Sequence, residues 1–280
     1  MHALPLLLAS ATAVPMAPIV LRTLREGGHT RLNYRGRALP LPLGVLILAA
    51  ALSALIPLVT IERIASVEVL QPEVLVVLAY ASGVACLGLV DDAYGARDNG
   101  EPAPRGWRGH ARAVRRGELS TGALKAGGSL GLALLVMSFA ERSSGRWLLA
   151  SAVLVLATNL FNLLDLRPGR AIKAFVLLGA GLIAGSGELR PLWALGLFAG
   201  PALVAGAYDL RERAMLGDTG ANLIGGLAGL WIVLTLSATG QAIALALLLV
   251  ITVYGEFRSI SALVEKTPGV RWLDSVGRPS

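Results

Sequence analysis

The chain has 280 residues, 55% of them hydrophobic and 15% charged, with a net charge of +7, and its mean hydropathy is +0.66. A single soluble core of this size does not hide that much apolar surface, so a soluble globular domain is excluded. A bilayer accepts it, provided each span pairs its own backbone polar groups, as helices do. The one cysteine, Cys86, lies in an apolar run and rules out both a disulfide framework and a thiolate metal site.

One crossing takes about 20 largely apolar residues. On that measure nine segments are predicted, at residues 3–21, 41–60, 72–90, 121–140, 147–164, 171–186, 191–208, 219–236 and 241–256. The expected fold class is all-α: one polytopic transmembrane helical bundle over residues 1–280, ending in a cytoplasmic C-terminal tail at 257–280. The sixth and ninth segments are short for a crossing, which calls for tilt or local thinning. The first contains Ala9-Ser10-Ala11-Thr12-Ala13, a stretch that suits signal-peptide cleavage. The basic leader such a peptide carries is missing, with only His2 in its place, so the segment is read as a retained span.

Charge sets the orientation. With the N-terminus outside, 21 of the 25 Lys and Arg fall in the segments 22–40, 91–125, 165–173, 209–218 and the tail. Only Arg63, Arg142, Arg146 and Arg190 fall on the other side. Basic loops stay on the cytoplasmic side, so the C-terminus is expected there too. The same bias accounts for the net charge without nucleic acid, which is not expected as a partner.

Four carboxylates then reach one boundary from distant parts of the sequence. Asp91 and Asp92 close the third segment, Asp165 closes the fifth and Asp218 opens the eighth. Carboxylates at a membrane boundary are costly and tend to be functional. Their mutual repulsion calls for a cation, and an oxygen-only donor set points to a hard ion such as Mg2+, with Mn2+ as the substitute. The first motif is Gly88-Leu89-Val90-Asp91-Asp92-Ala93-Tyr94-Gly95. Successive helical residues diverge by about 100°, so its two aspartates serve different roles. The second is Asn159-Leu160-Phe161-Asn162-Leu163-Leu164-Asp165, whose polar groups at i, i+3 and i+6 share one helix flank. The third, Leu216-Gly217-Asp218-Thr219-Gly220-Ala221-Asn222, reads as a loop entering a helix, with glycines that allow close backbone approach. Taken singly, each has a plainer reading: a solvated helix end, asparagines pinning helices together, an N-cap.

Together, in this order, the motifs resemble the polyprenyl-phosphate N-acetylhexosamine-1-phosphate transferases, the group that contains phospho-N-acetylmuramoyl-pentapeptide transferase. The likeness runs from about Asn33 to Gly226. The family's Asp-Asp motif is similar to Asp91-Asp92. Its Asn-x-x-Asn-x-x-Asp motif is matched by Asn159, Asn162 and Asp165, and its Gly-Asp-x-Gly motif by Gly217 to Gly220. The basic stretch Asn33-Tyr34-Arg35-Gly36-Arg37 and Lys125, opening the fourth segment, also have counterparts. The resemblance implies transfer of a sugar-1-phosphate from a UDP-linked amino sugar to a polyprenyl phosphate at the plasma membrane, with release of UMP in cell-wall biogenesis. It implies Asp91, Asp92, Asp218 and Lys125 as catalytic groups, with Asp92 and Asp218 as Mg2+ ligands. It places Asn159, Asn162, Asp165, Arg35, Arg37 and Gly217 at the substrates. A homodimer stays open as a further partner.

The chain departs from the family after Asp165. A glycine-rich turn is replaced by Leu166-Arg167-Pro168-Gly169-Arg170-Ala171-Ile172-Lys173, whose Arg167 and Arg170 are candidates for holding phosphate or for setting topology. There is no His after His110, where the family carries a His-rich loop, and a tail with Trp272 and Asp274 stands in place of a tenth span. Two other classes use the same groups: a non-catalytic polyprenyl-phosphate binder and an ion-coupled transporter. Transporter sites lie near the bilayer midplane, which argues against the latter.

Overall fold

A computed structural model describes residues 1–94, 121–141 and 143–279. Among the described residues it is helical apart from one small hairpin. In chain order the elements are α1 (Leu4–Glu26), β1 (Thr30–Leu32), β2 (Ala38–Pro40), α2 (Gly44–Ala65), α3 (Val74–Tyr94), α4 (Thr121–Ala140), α5 (Ser144–Leu164), α6 (Arg170–Ser186), α7 (Arg190–Leu210), α8 (Gly217–Thr235), α9 (Ala238–Phe257), α10 (Ile260–Lys266) and α11 (Pro268–Ser275). Among the described residues seven helices are long and apolar enough to cross a membrane: α1, α2, α3, α4, α5, α7 and α9.

The two expected spans outside that set fall short for different reasons. Helix α6 has only 17 residues. Helix α8 has 19 residues, but its first half carries Asp218, Asn222 and repeated glycines. Its position explains the composition. From Gly217 to Ile232 every residue of α8 except Asp218 is buried, because α3 and α5 pack along it and α2, α6 and α7 complete the ring. A helix shielded from lipid on all sides has no need of an apolar rim, and small residues let its neighbours approach. Gly44 of α2 lies directly on the Gly220 backbone, and Gly88 of α3 on the Asp218 carbonyl, so a Cβ at either position collides with main chain. Near the far end, Trp231 packs against Phe175 with ring centroids 5.3 Å apart.

The Ala-rich stretch near the N-terminus lies inside α1. Ala9, Ala13 and Ala17 are fully buried on the face that packs against α7. Helix α9 behaves in the opposite way. It buries only Gln241, Leu248 and Thr252 and leaves its other faces open.

The helices alternate between two ends of the bundle. One end gathers the hairpin, the last turns of α3, α5 and α7 and the first turns of α2, α4, α6 and α8. The amide of Leu43 donates to Met215 O at 2.9 Å, that of Met215 to Pro40 O at 2.9 Å, and that of Gly169 to Asp209 Oδ2 at 2.7 Å. At the opposite end Glu73 pairs with Arg190, and Gln241 Nε2 donates to the Val233 and Leu236 carbonyls at 3.2 and 3.0 Å. Those carbonyls belong to the last turn of α8 and its C-cap residue, which have no intrahelical partner for them.

Segment 22–40 was expected only as a basic loop. It contains the hairpin, closed by Asn33, whose Oδ1 accepts from the amides of Arg35 and Arg37 at 2.9 Å each, with Gly36 at φ +74°. The tail also folds: α10 and α11 turn back onto the body.

Candidate active site

The sequence of α8's first turn determines the core of the site. Gly217 enters at φ +71°, a left-handed conformation that suits glycine, and a Cβ there would stand 2.7 Å from Asp92 Oδ2. The missing side chain lets the Asp92 carboxylate reach the helix start. Its Oδ1 accepts from the Asp218 amide at 3.0 Å, and its Oδ2 from the Thr219 amide at 2.8 Å and the Thr219 hydroxyl at 2.7 Å. The residue at the N-cap position, Leu216, has no side-chain oxygen to offer. Asp92, from α3, therefore caps α8, and its charge faces the positive end of the helix dipole.

With Asp92 so engaged, Asp91 and Asp218 converge on Lys125. The ammonium donates to Asp91 Oδ2 at 2.9 Å and lies 3.4 Å from Asp218 Oδ1. Three helices, α3, α4 and α8, thus bring two carboxylates to one cation, all three side chains being no more than 30% exposed. Asp165, at the end of α5, adds a third acidic group. Burial pushes its carboxyl well above the ordinary range, and the charges of Asp209, Asp218 and Asp92 push the same way against Arg170. Asn159 and Asn162 are half-buried on α5.

The arrangement suits a divalent cation at Asp91 and Asp218. Among the described residues no three His, Cys, Asp or Glu side chains converge to cage an ion unaided. Mg2+ needs no such cage, because it takes one or two carboxylates and fills its octahedron with water and substrate phosphate. The two carboxylates already hold one cation, Lys125, between them. Asp92, expected from the sequence as a ligand, caps α8 with both of its oxygens.

The basic candidates are dispersed. Arg35 and Arg37 both turn to Glu212, at 3.4 and 3.9 Å, and Arg37 stays 57% exposed. Glu212 itself is buried in the α7–α8 turn at φ +51° and also accepts from the Tyr34 hydroxyl at 3.0 Å. Arg167 lies over the Tyr34 ring at 4.3 Å and donates to Glu265 at 3.3 Å. Arg170 is buried, and its guanidinium forms a fork on Asp274 at 2.9 and 3.0 Å, with Ser261 Oγ at 3.0 Å. Arg278 grips the same carboxylate at 3.0 and 2.8 Å and donates to Pro168 O at 2.7 Å. The basic turn after Asp165 is thus clamped by the tail.

Four residues of this end were missed in the sequence: Thr219, Asp209, Glu212 and Asp274. Thr219 stands inside the quoted motif, where the plainer reading made it an N-cap candidate and not a partner of Asp92. Asp209 closes α7, Glu212 lies in the turn after it and Asp274 in the tail, all away from any motif, and only their pairing in space reveals them. Asp209 holds the α5–α6 turn through the Gly169 amide and also accepts from the Leu216 amide. No protein-family model matches the chain, and no curated protein matches it significantly.

Proposed function

We propose that the chain is a membrane phosphotransferase, which moves a sugar-1-phosphate from a UDP-linked amino sugar to a polyprenyl phosphate and releases UMP. The observation that carries this is the Asp91–Lys125–Asp218 cluster. It supplies positive charge and carboxylate oxygens at one point, at the end of a bundle whose flanks suit a lipid tail. In the transfer, an oxygen of the lipid phosphate bonds to the sugar-bearing phosphorus, and the bridge to UMP breaks. Asp91 orients the lipid phosphate, which attacks as its dianion. Lys125, which bridges Asp91 and Asp218, neutralises phosphate oxygens beside them, and Asp92 keeps Asp218 in place through the α8 cap. Mg2+ held by Asp91 and Asp218 would neutralise the charge that builds on the diphosphate. Asn159, Asn162 and Asp165, toward the C-terminal end of α5, suit the nucleotide and sugar. Arg37 and Arg167, at the same end, suit outlying phosphate contacts.

On this reading α1–α9 all cross the plasma membrane, nine spans with the N-terminus outside. The acidic end and the tail then face the cytoplasm, where nucleotide sugars are made and where 21 of 25 basic residues fall. A second reading, a polyprenyl-phosphate binder without turnover, is favoured by one observation: Asp274 occupies Arg170, the buried cation of the basic turn. Purified protein incubated with undecaprenyl phosphate, Mg2+ and a panel of UDP-sugars separates the two. The transferase yields a lipid-linked sugar diphosphate from at least one donor. Lipid-phosphate binding without product from any donor leaves the second reading.

A further inference from the structure

We infer that α11 lies in the headgroup region of the membrane, with Trp272 and Leu273 turned into the lipid interface. The helix has two unlike sides. Asp274 faces the protein, held by Arg170 and Arg278. Two residues before it, Trp272 projects about 200° away around the helix and is 68% exposed. Leu273 and, just past the last turn, Val276 are 37% and 44% exposed.

The height of the helix is set by Lys173. Its ammonium donates to the carbonyls of Leu273 at 3.1 Å and Asp274 at 2.6 Å. Lys173 is in the first turn of α6, and one turn further along Val176 and Leu177 are exposed apolar side chains. Helix α11 therefore sits beside the point where an apolar flank begins, which in a membrane is the interface. Tryptophan is favoured at that depth. Arg271 and the nearby Lys266 and Arg258 complement anionic headgroups, the usual make-up of an interfacial helix. A second copy of the chain is the other occupant such a face admits. A patch of three side chains is far below the roughly 1,000 Å² that a specific protein interface buries, and this favours lipid. The inference rests on the membrane reading of the bundle and not on the chemistry at the acidic end.

The test uses the full chain with Cys86→Ser, reconstituted in vesicles of phosphatidylcholine and phosphatidylglycerol. Trp272→Cys, and separately Val276→Cys, which keeps the tryptophan, carry an environment-sensitive fluorophore. Val250→Cys, on the open flank of α9, is the membrane control. Lipids bear a spin label either near the headgroup or deep in the acyl chain. The labels at 272 and 276 are expected to be quenched at least about twofold more by the shallow lipid, and the label at 250 more by the deep one. Quenching at 272 and 276 by aqueous iodide and by neither lipid would overturn the inference. So would shielding that disappears as protein is diluted in lipid, which assigns the face to a second copy. A label at 250 that no lipid quenches overturns the membrane reading itself.

Discussion

Removing the Asp92 carboxylate tests whether it is a cap or a metal ligand. In Asp92→Ala three donors lose their acceptor: two amides at the start of α8 and the Thr219 hydroxyl. A hydrogen bond to a charged group contributes about 1.5–3 kcal/mol, so a simple sum would exceed 4 kcal/mol. These bonds are only part-buried, so solvent rescues part of that loss, and measured losses of N-caps are about 1–2 kcal/mol. The expected destabilisation is therefore about 2–3 kcal/mol, at the top of the capping range because three donors share one acceptor. Asp92→Asn keeps one carbonyl oxygen at the helix start and is expected to lose only about 1 kcal/mol. Denaturant titration of the protein in detergent micelles, followed by tryptophan emission, reads both values. An Asp92→Ala protein as stable as wild type refutes the capping argument. If Asp92→Asn also raised the Mg2+ concentration needed for turnover at unchanged stability, Asp92 would return to the role of ligand.

Three further outcomes follow from the same contacts. Lys125→Met leaves Asp91 and Asp218 without their shared cation and is expected to lower transfer by about 100-fold or more, measured as initial rate at saturating donor. Gly88→Ala drives a methyl group into the Asp218 carbonyl and is expected to destabilise by about 1–3 kcal/mol in the same denaturant titration, with Gly131→Ala, where an added Cβ meets nothing within 4 Å, as the contrasting substitution. Burial pushes the Asp274 carboxyl up, but hydrogen bonds from Arg170 and Arg278 outweigh it and hold the group down at about 2. Its folded value lies below the unfolded one, near 3.9. The stabilisation of tail docking is thus full above about pH 4 and lost as pH falls toward about 2. Limited proteolysis of the tail across that window should show the loss in wild type and not in Asp274→Asn.

The parts of the fold legible in the sequence are those governed by lipid exposure. The segments expected at 72–90 and 121–140 appear as α3 and α4 because each meets lipid along one flank and needs apolar residues there. Helix α8 obeys a different rule. Ringed by other helices, it is marked by glycines and by the Gly217–Asp218–Thr219 start, so its motif announces it better than its hydropathy does. The three-residue strands of the hairpin leave no periodic trace among the arginines, and what holds them is Glu212, nearly 180 residues away. The site was legible as residue types at one level, Asp91, Asp92, Asp165 and Asp218. Their division of labour was not, because it depends on which oxygen meets which amide. Arg170 shows the limit most clearly: in sequence it is a cation beside the acidic motif, and in space its whole guanidinium fork is taken by Asp274.

Exchange of radiolabelled UMP into the UDP-sugar tests the central claim most directly, because it reads the bond at the diphosphate and isolates the acidic cluster. With Mg2+ and polyprenyl phosphate, wild-type protein is expected to carry label into the nucleotide sugar. Chelator should abolish the exchange, and Asp218→Asn should lower it by about 100-fold or more while the protein still folds. Exchange that persists in excess chelator, or that Asp218→Asn leaves at the wild-type rate, would contradict the account.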